Sequence, residues 1–164
     1  IGKMVAQRLV NLGVKVIAYD PFIDQEAVRS SGIDLTFVSL EALFKHSDIV
    51  SLHMRVTPET ENLIDRKLLA LMQPSAYLIN TARPDILVKA DFIEVLKKRK
   101  IAGAAIDVVW EEPIAADDPL LGLDNLVITS HIAGDTVDAI PKSPLLLAKT
   151  VKDYLQTGVS EFIV

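Results

Sequence analysis

Five short runs, KVIAYD (15–20), DIVSLH (48–53), AYLINT (76–81), AGAAIDVV (102–109) and NLVITS (125–130), are apolar almost without interruption, and they restrict the possible folds more than any other feature. A strand with one wet face alternates apolar and polar side chains, whereas an unbroken apolar run suits a parallel strand covered on both faces. Between the runs, apolar residues recur at helical spacing: Val5, Leu9 and Leu12, then Phe92, Val95 and Leu96, then Leu147, Val151 and Leu155. Each stripe predicts a helix packed onto the sheet. Strand and helix in alternation predict an α/β fold with a doubly wound parallel sheet. A chain of 164 residues without repeats or a Pro/Gly-rich linker predicts one domain with a substantial core.

Charge and composition remove several classes of function. The formal charge is −5, and the dense basic run Lys97, Lys98, Arg99, Lys100 is read as a helix C-terminus, so no nucleic-acid partner is expected. No apolar stretch approaches the ~20 residues that span a bilayer, so no membrane association is expected. The chain has no cysteine, which excludes disulfide frameworks and thiolate metal sites and fits a cytoplasmic protein.

Ile1-Gly2 opens directly into the first helix, whereas a dinucleotide fold needs a strand and a glycine turn before it. The chain also closes on the apolar residues Phe162, Ile163 and Val164. Both ends predict a fragment of a longer protein, with its first strand missing.

The candidate chemistry lies just after the strand-like runs, where open α/β sheets bind their ligands. Gly2, before the helix that begins Lys3-Met4-Val5-Ala6, is a candidate for the last glycine of a GxGxxG turn. Asp20 ends KVIAYD about 18 residues further on. It is either a turn aspartate before Pro21 or the acid that accepts hydrogen bonds from the adenosine ribose, and in the second case its charge opposes a 2′-phosphate and favours NAD(H) over NADP(H). Arg83 follows AYLINT, Asp107 and Glu112 follow one another at the end of AGAAIDVV, and His131 follows NLVITS with Gly134 close behind. An arginine can grip a carboxylate through two parallel hydrogen bonds, and a histidine backed by an acid can exchange a proton with the neighbouring oxygen. That set suits hydride transfer to a 2-keto acid.

With these residues in view, the segments VIAYDP, VSLHMRVTPETENLI, LINTARPDILV, GAAIDVVWEEP and NLVITSHIAG resemble the NAD-dependent D-isomer-specific 2-hydroxyacid dehydrogenases, a family that includes D-3-phosphoglycerate, D-lactate and glycerate dehydrogenases. The similarity covers nearly the whole chain and corresponds to that family's cofactor domain, a Rossmann-type NAD-binding domain, with the substrate domain absent. It implies that His131 is the acid/base, that Glu112 pairs with it and raises its pKa, and that Arg83 binds the substrate carboxylate and carbonyl. It also implies that Asp107 meets the nicotinamide carboxamide, and that Ile1, Gly2, Asp20, Met54, Thr60, Thr81, Ala82, Arg83, His131 and Gly134 line the cofactor. The implied partner is a small 2-hydroxy or 2-keto acid, whose identity this sequence does not specify, and the implied assembly is a homodimer. Two other functions remain open: a dinucleotide-sensing binding protein similar to corepressors of the same fold, and an inactive remnant.

Several positions depart from the family pattern. Pro84 stands where glycine is usual and pushes Arg83 toward extended geometry. HMRV replaces the usual HxPL, which puts Arg55 near the cofactor face as a candidate for a substrate anion. Lys89 stands where an aspartate helix cap is common, with local consequences expected. His46 is read as a helix-end residue, His53 as shaping the adenine-side loop, and Asp117 and Asp118 as a solvated turn and not a metal site. Trp110 either walls the active site or packs its loop.

Overall fold

The computed structural model describes residues 1–159, so the apolar run Phe162, Ile163 and Val164 lies outside the described residues. These residues divide into two compact units, Ile1–Ser130 and a second beginning at His131. The first unit contains six strands: β1 (Val16–Ala18), β2 (Leu35–Phe37), β3 (Ile49–Leu52), β4 (Tyr77–Asn80), β5 (Gly103–Ile106) and β6 (Leu126–Ile128). Five lie inside the apolar runs read from the sequence. The sixth, β2, was not foreseen, because LTF is only three residues long and has a threonine at its centre. All the pairings are parallel, in two ladders, β1-β2 and β3-β4-β5-β6. Helices alternate with the strands: α1 (Gly2–Asn11), α2 (Gln25–Ser30), α3 (Leu40–His46), α4 (Arg66–Leu69) and α5 (Lys89–Lys97).

Local chemistry sets the helix boundaries. Asp24, Ser39 and Asp65 each accept a backbone N–H at the start of α2, α3 and α4, satisfying donors that a helix leaves open. The basic run behaves as expected: α5 ends at Lys97, Lys98 is its C-cap, and Arg99 follows with φ 47°. Arg66 ties α4 to α5 through Asp91 and Glu94.

Phe44 of α3, Leu68 and Leu69 of α4, and Phe92, Val95 and Leu96 of α5 are buried with Val50, Leu52, Leu78, Ala104 and Ile106 from the strands. Each large apolar side chain sealed this way contributes about 1.5–3 kcal/mol. The opposite register positions differ: Ile49 is 59% exposed, Tyr77 51% and Val127 62%. Unbroken apolarity predicted cover on both faces, but α3, α4 and α5 lie on one side, as successive right-handed crossovers require. Gly103 marks a close backbone approach, since a Cβ there would sit 2.7 Å from the Asn125 carbonyl oxygen.

The second unit turns through Ile132 and Asp135 into α6 (Ala139–Thr157), which ends at Gly158 in the left-handed region. The predicted stripe Leu147, Val151 and Leu155 is helical but exposed.

Candidate active site

The site is built from the backbone outward, starting beneath Arg83. Asn80, the last residue of β4, is fully buried; its Nδ2 donates to the Arg83 carbonyl at 2.8 Å and its Oδ1 accepts the Ala82 N–H at 3.0 Å. One side chain thus satisfies both directions of the Thr81-Ala82-Arg83 loop, as a buried amide must. Pro84 then begins a 3-10 turn, and Arg83 is extended at φ −148° and ψ 144°, the geometry that a following proline imposes. The exposed guanidinium donates from Nη1 to the Ala82 carbonyl at 2.7 Å.

On β5, register pairs Asn80 with Ile106, so Asp107 lies one residue beyond the strand, next to the Arg83 loop. Its N–H donates to the Asn80 carbonyl at 3.0 Å, and its side chain is buried, accepting a short hydrogen bond from the Thr129 hydroxyl. Glu112, five residues on, is exposed and accepts the Val109 N–H through Oε1 at 3.4 Å.

Asp118 is not the solvated turn that the sequence suggested. Its side chain is 7% exposed, its Oδ2 lies 2.7 Å from Lys89 Nζ, and its Oδ1 caps the 3-10 turn Pro119–Gly122 through the Leu120 N–H. Lys89 accordingly reaches 29 residues along the chain, beyond the local role expected of it. A buried carboxylate needs such a partner.

At the β1 end, Asp20 is exposed, and its Oδ1 accepts the Phe22 N–H at 2.9 Å, which is the turn reading of this residue. The turn uses one oxygen and leaves the carboxylate with acceptor capacity for a ribose diol, so both readings fit. Gly2 begins α1 against the chain just past β3: a Cβ on Gly2 would be 3.2 Å from the His53 Cβ. His53 in turn lies 2.9 Å from the Ser51 hydroxyl, and burial pushes its pKa below the ordinary imidazole value. Beyond Met54, the Thr60 hydroxyl donates to the Arg55 carbonyl at 2.7 Å and accepts the Thr57 N–H at 2.7 Å, folding the loop back on itself.

In the second unit, His131 has φ 59°, a left-handed conformation unusual for a residue with a side chain. Gly134 is not left-handed, and a Cβ there would meet nothing within 4 Å, which leaves its backbone open to the close approach of a ligand. Asn80 and Thr129 were the residues that sequence reasoning passed over. Their signal was a polar side chain at the end of an otherwise apolar run.

A strand-end arginine and a buried strand-end aspartate on neighbouring parallel strands suit a dinucleotide and a carboxylate substrate, and the comparisons with known proteins decide the family. Residues 1–133 match the family described as D-isomer specific 2-hydroxyacid dehydrogenase, NAD binding domain. The chain belongs to that family. It is 36% identical over 164 residues to D-3-phosphoglycerate dehydrogenase of Methanocaldococcus jannaschii, covering all of this chain and 31% of that one. It is 38% identical over 152 residues to glyoxylate reductase of Thermofilum pendens, covering 92% of this chain and 44% of that one. The chain therefore spans less than half the length of these two relatives. The NAD-complexed D-isomer specific 2-hydroxyacid dehydrogenase of Lactobacillus delbrueckii ssp. bulgaricus superposes with a TM-score of 0.86 at 32% identity, over all of this chain and 52% of that one. The doubly wound α/β reading and the NAD-binding assignment both hold for this dehydrogenase domain.

Proposed function

We propose that residues 1–164 act as the cofactor domain of a two-domain, NAD-dependent dehydrogenase that interconverts a D-2-hydroxy acid and its 2-keto acid. The observation that carries this reading is the pair of strand ends at which Arg83 and Asp107 follow register-paired Asn80 and Ile106. Arg83 is exposed and held in extended geometry, so its guanidinium can take a carboxylate in bidentate fashion. Asp107, anchored by Thr129, presents an acceptor suited to the carboxamide of nicotinamide. His131 is the acid/base, giving its proton to the keto oxygen during reduction and recovering it during oxidation, and Glu112 is the carboxylate assigned to work with it. When bound, NADH supplies the hydride for the C2 carbon.

Asp20 accepts the adenosine ribose hydroxyls, Gly2 and Ile1 border the dinucleotide at the start of α1, and Met54, Thr60, Thr81, Ala82 and Gly134 complete its lining. The free acceptor capacity of Asp20 supports NADH over NADPH, because a 2′-phosphate would meet a carboxylate there. The protein works as a homodimer in the cytoplasm; among the described residues no helix is long and apolar enough to cross a membrane.

The experiment is a titration with NADH and then NADPH, exciting Trp110 and following energy transfer to the nicotinamide, with a parallel screen of glyoxylate, pyruvate and hydroxypyruvate. Saturation at much lower NADH than NADPH, lost in Asp20→Ala, together with turnover of a keto acid, is the expected result. Binding without turnover by the whole protein would instead make it a dinucleotide sensor. Equal affinity for the two cofactors would remove the role of Asp20.

A further inference from the structure

Lys89 opens α5, yet its side chain leaves that helix. Its Nζ lies 2.7 Å from Asp118 Oδ2 and 5.8 Å from the centroid of the Trp110 ring. The Trp110 ring packs tilted against Phe92, fully buried in the same helix, with centroids 6.1 Å apart. One ammonium and one phenylalanine of α5 therefore grip the loop at Trp110 and again at Asp118, and Glu112 lies between those two points. The grip is not a surface contact, since the Lys89 side chain is 33% exposed and that of Asp118 only 7%. Burial pushes the Asp118 carboxyl up, but hydrogen bonds from Lys89 and from the Leu120 N–H outweigh it and hold the group below the usual carboxylate range. Asp118 is thus charged at neutral pH and requires its lysine.

We propose that Lys89 is a positioning residue: it clamps the loop from Trp110 to Asp118 onto α5 and so fixes Glu112 for proton transfer. The proposal rests on the role of Glu112 given above. A surface lysine would tolerate removal. A lysine that holds a catalytic loop by charge and by its place over an aromatic face would not, although an arginine could replace it because guanidinium serves both contacts.

Two measurements test the clamp separately from the function. In this chain, whose single tryptophan is Trp110, acrylamide quenching should increase in Lys89→Met and in Asp118→Asn and return to normal in Lys89→Arg. Unchanged quenching in folded K89M and D118N would overturn the clamp. In the whole protein, K89M should lower kcat about tenfold or more while leaving KM for NADH within about twofold, because a small displacement of a catalytic group costs rate far more than cofactor binding. K89R should recover most of that loss. In an Glu112→Gln background K89M should cost less than about twofold further, since the two changes remove the same contribution. Undiminished kcat in K89M despite increased quenching, or a full additional loss in the E112Q background, would overturn the positioning role. Wild-type turnover by E112Q would instead remove the role of Glu112 and the positioning claim with it, leaving the quenching result as evidence of a purely structural clamp.

Discussion

Two arginines stand at equivalent places in this molecule, and the chain treats them differently. Register pairs Leu52 with Asn80, so Arg55 and Arg83 each lie three residues past neighbouring strand ends. Neither has a carboxylate within ion-pair distance among the described residues. Beneath Arg83 lies a fully buried asparagine that bonds the loop in both directions, followed by a proline that fixes the exit. Beneath Arg55 there is a half-buried turn with no fully buried polar anchor, closed by the Thr60 hydroxyl on the Arg55 carbonyl. The exposed side chain does not distinguish a built-in binding group from an incidental one; the polar atom buried under its backbone does.

The strongest way to break this contrast is to remove the support itself. Asn80→Ala leaves the Ala82 N–H and the Arg83 carbonyl without their partner in a sealed environment, and should cost about 3 kcal/mol of stability together with most keto-acid turnover. Urea unfolding with a parallel rate assay checks it. A loss below about 1 kcal/mol with normal turnover would show that the Arg83 loop needs no buried anchor.

Next in size is Arg83→Ala, which should leave stability nearly unchanged, because the side chain is exposed, and reduce kcat/KM for the keto acid by roughly 100-fold or more. Arg83→Lys should recover little, since an ammonium cannot reproduce two parallel hydrogen bonds. Recovery in the lysine variant to within about threefold of wild type would mean that the site needs only a charge.

The same contrast shows where the sequence was legible. Unbroken apolar runs located β1, β3, β4, β5 and β6 because a covered parallel strand leaves that signature, whereas β2 is too short and too polar at Thr36 to leave one. The candidate site's outer residues stand out in the sequence as charged or titratable side chains after those runs, and Pro84 foretold the extended Arg83. Their supports do not. Thr129 and Asp118 take their roles from partners 22 and 29 positions away, which leave no local pattern, and Asn80, whose partners are only two and three residues on, takes its role from its burial in the sheet. The α1, α5 and α6 stripes share one periodicity, yet of their apolar residues only Phe92, Val95 and Leu96 are buried. Periodicity identifies a helix and its apolar face, but not what covers that face.

Arg55 sharpens the comparison from the weaker side. If its loop is merely surface, Arg55→Ala changes nothing; if the guanidinium meets an anion on the substrate, KM should rise about threefold to tenfold, and more at low salt than at high. The effect should be larger for acids with a second negative group than for glyoxylate. Identical kinetics for every accepted acid would remove Arg55 from the site and leave the proposed substrate role to Arg83.

The smallest expected effect concerns the foundation of the Arg55 loop. His53 is pressed against Gly2 and lies beside Ser51, and its pKa is held below the usual imidazole value by burial. The unfolded chain takes up a proton at about pH 6.5, while the folded chain resists until the pH falls further. The contribution of neutral His53 to stability is therefore fully present above about pH 6.5 and declines as the pH falls toward the folded value, because there the unfolded state binds more protons than the folded one. His53→Gln should flatten the stability profile just below about pH 6.5 by no more than one proton's worth, while the N80A penalty, which involves no titrating group, persists at every pH. A profile in H53Q that keeps its full slope across that window would assign the titration to other groups and leave His53 as a packing residue beneath the less anchored of the two arginine loops.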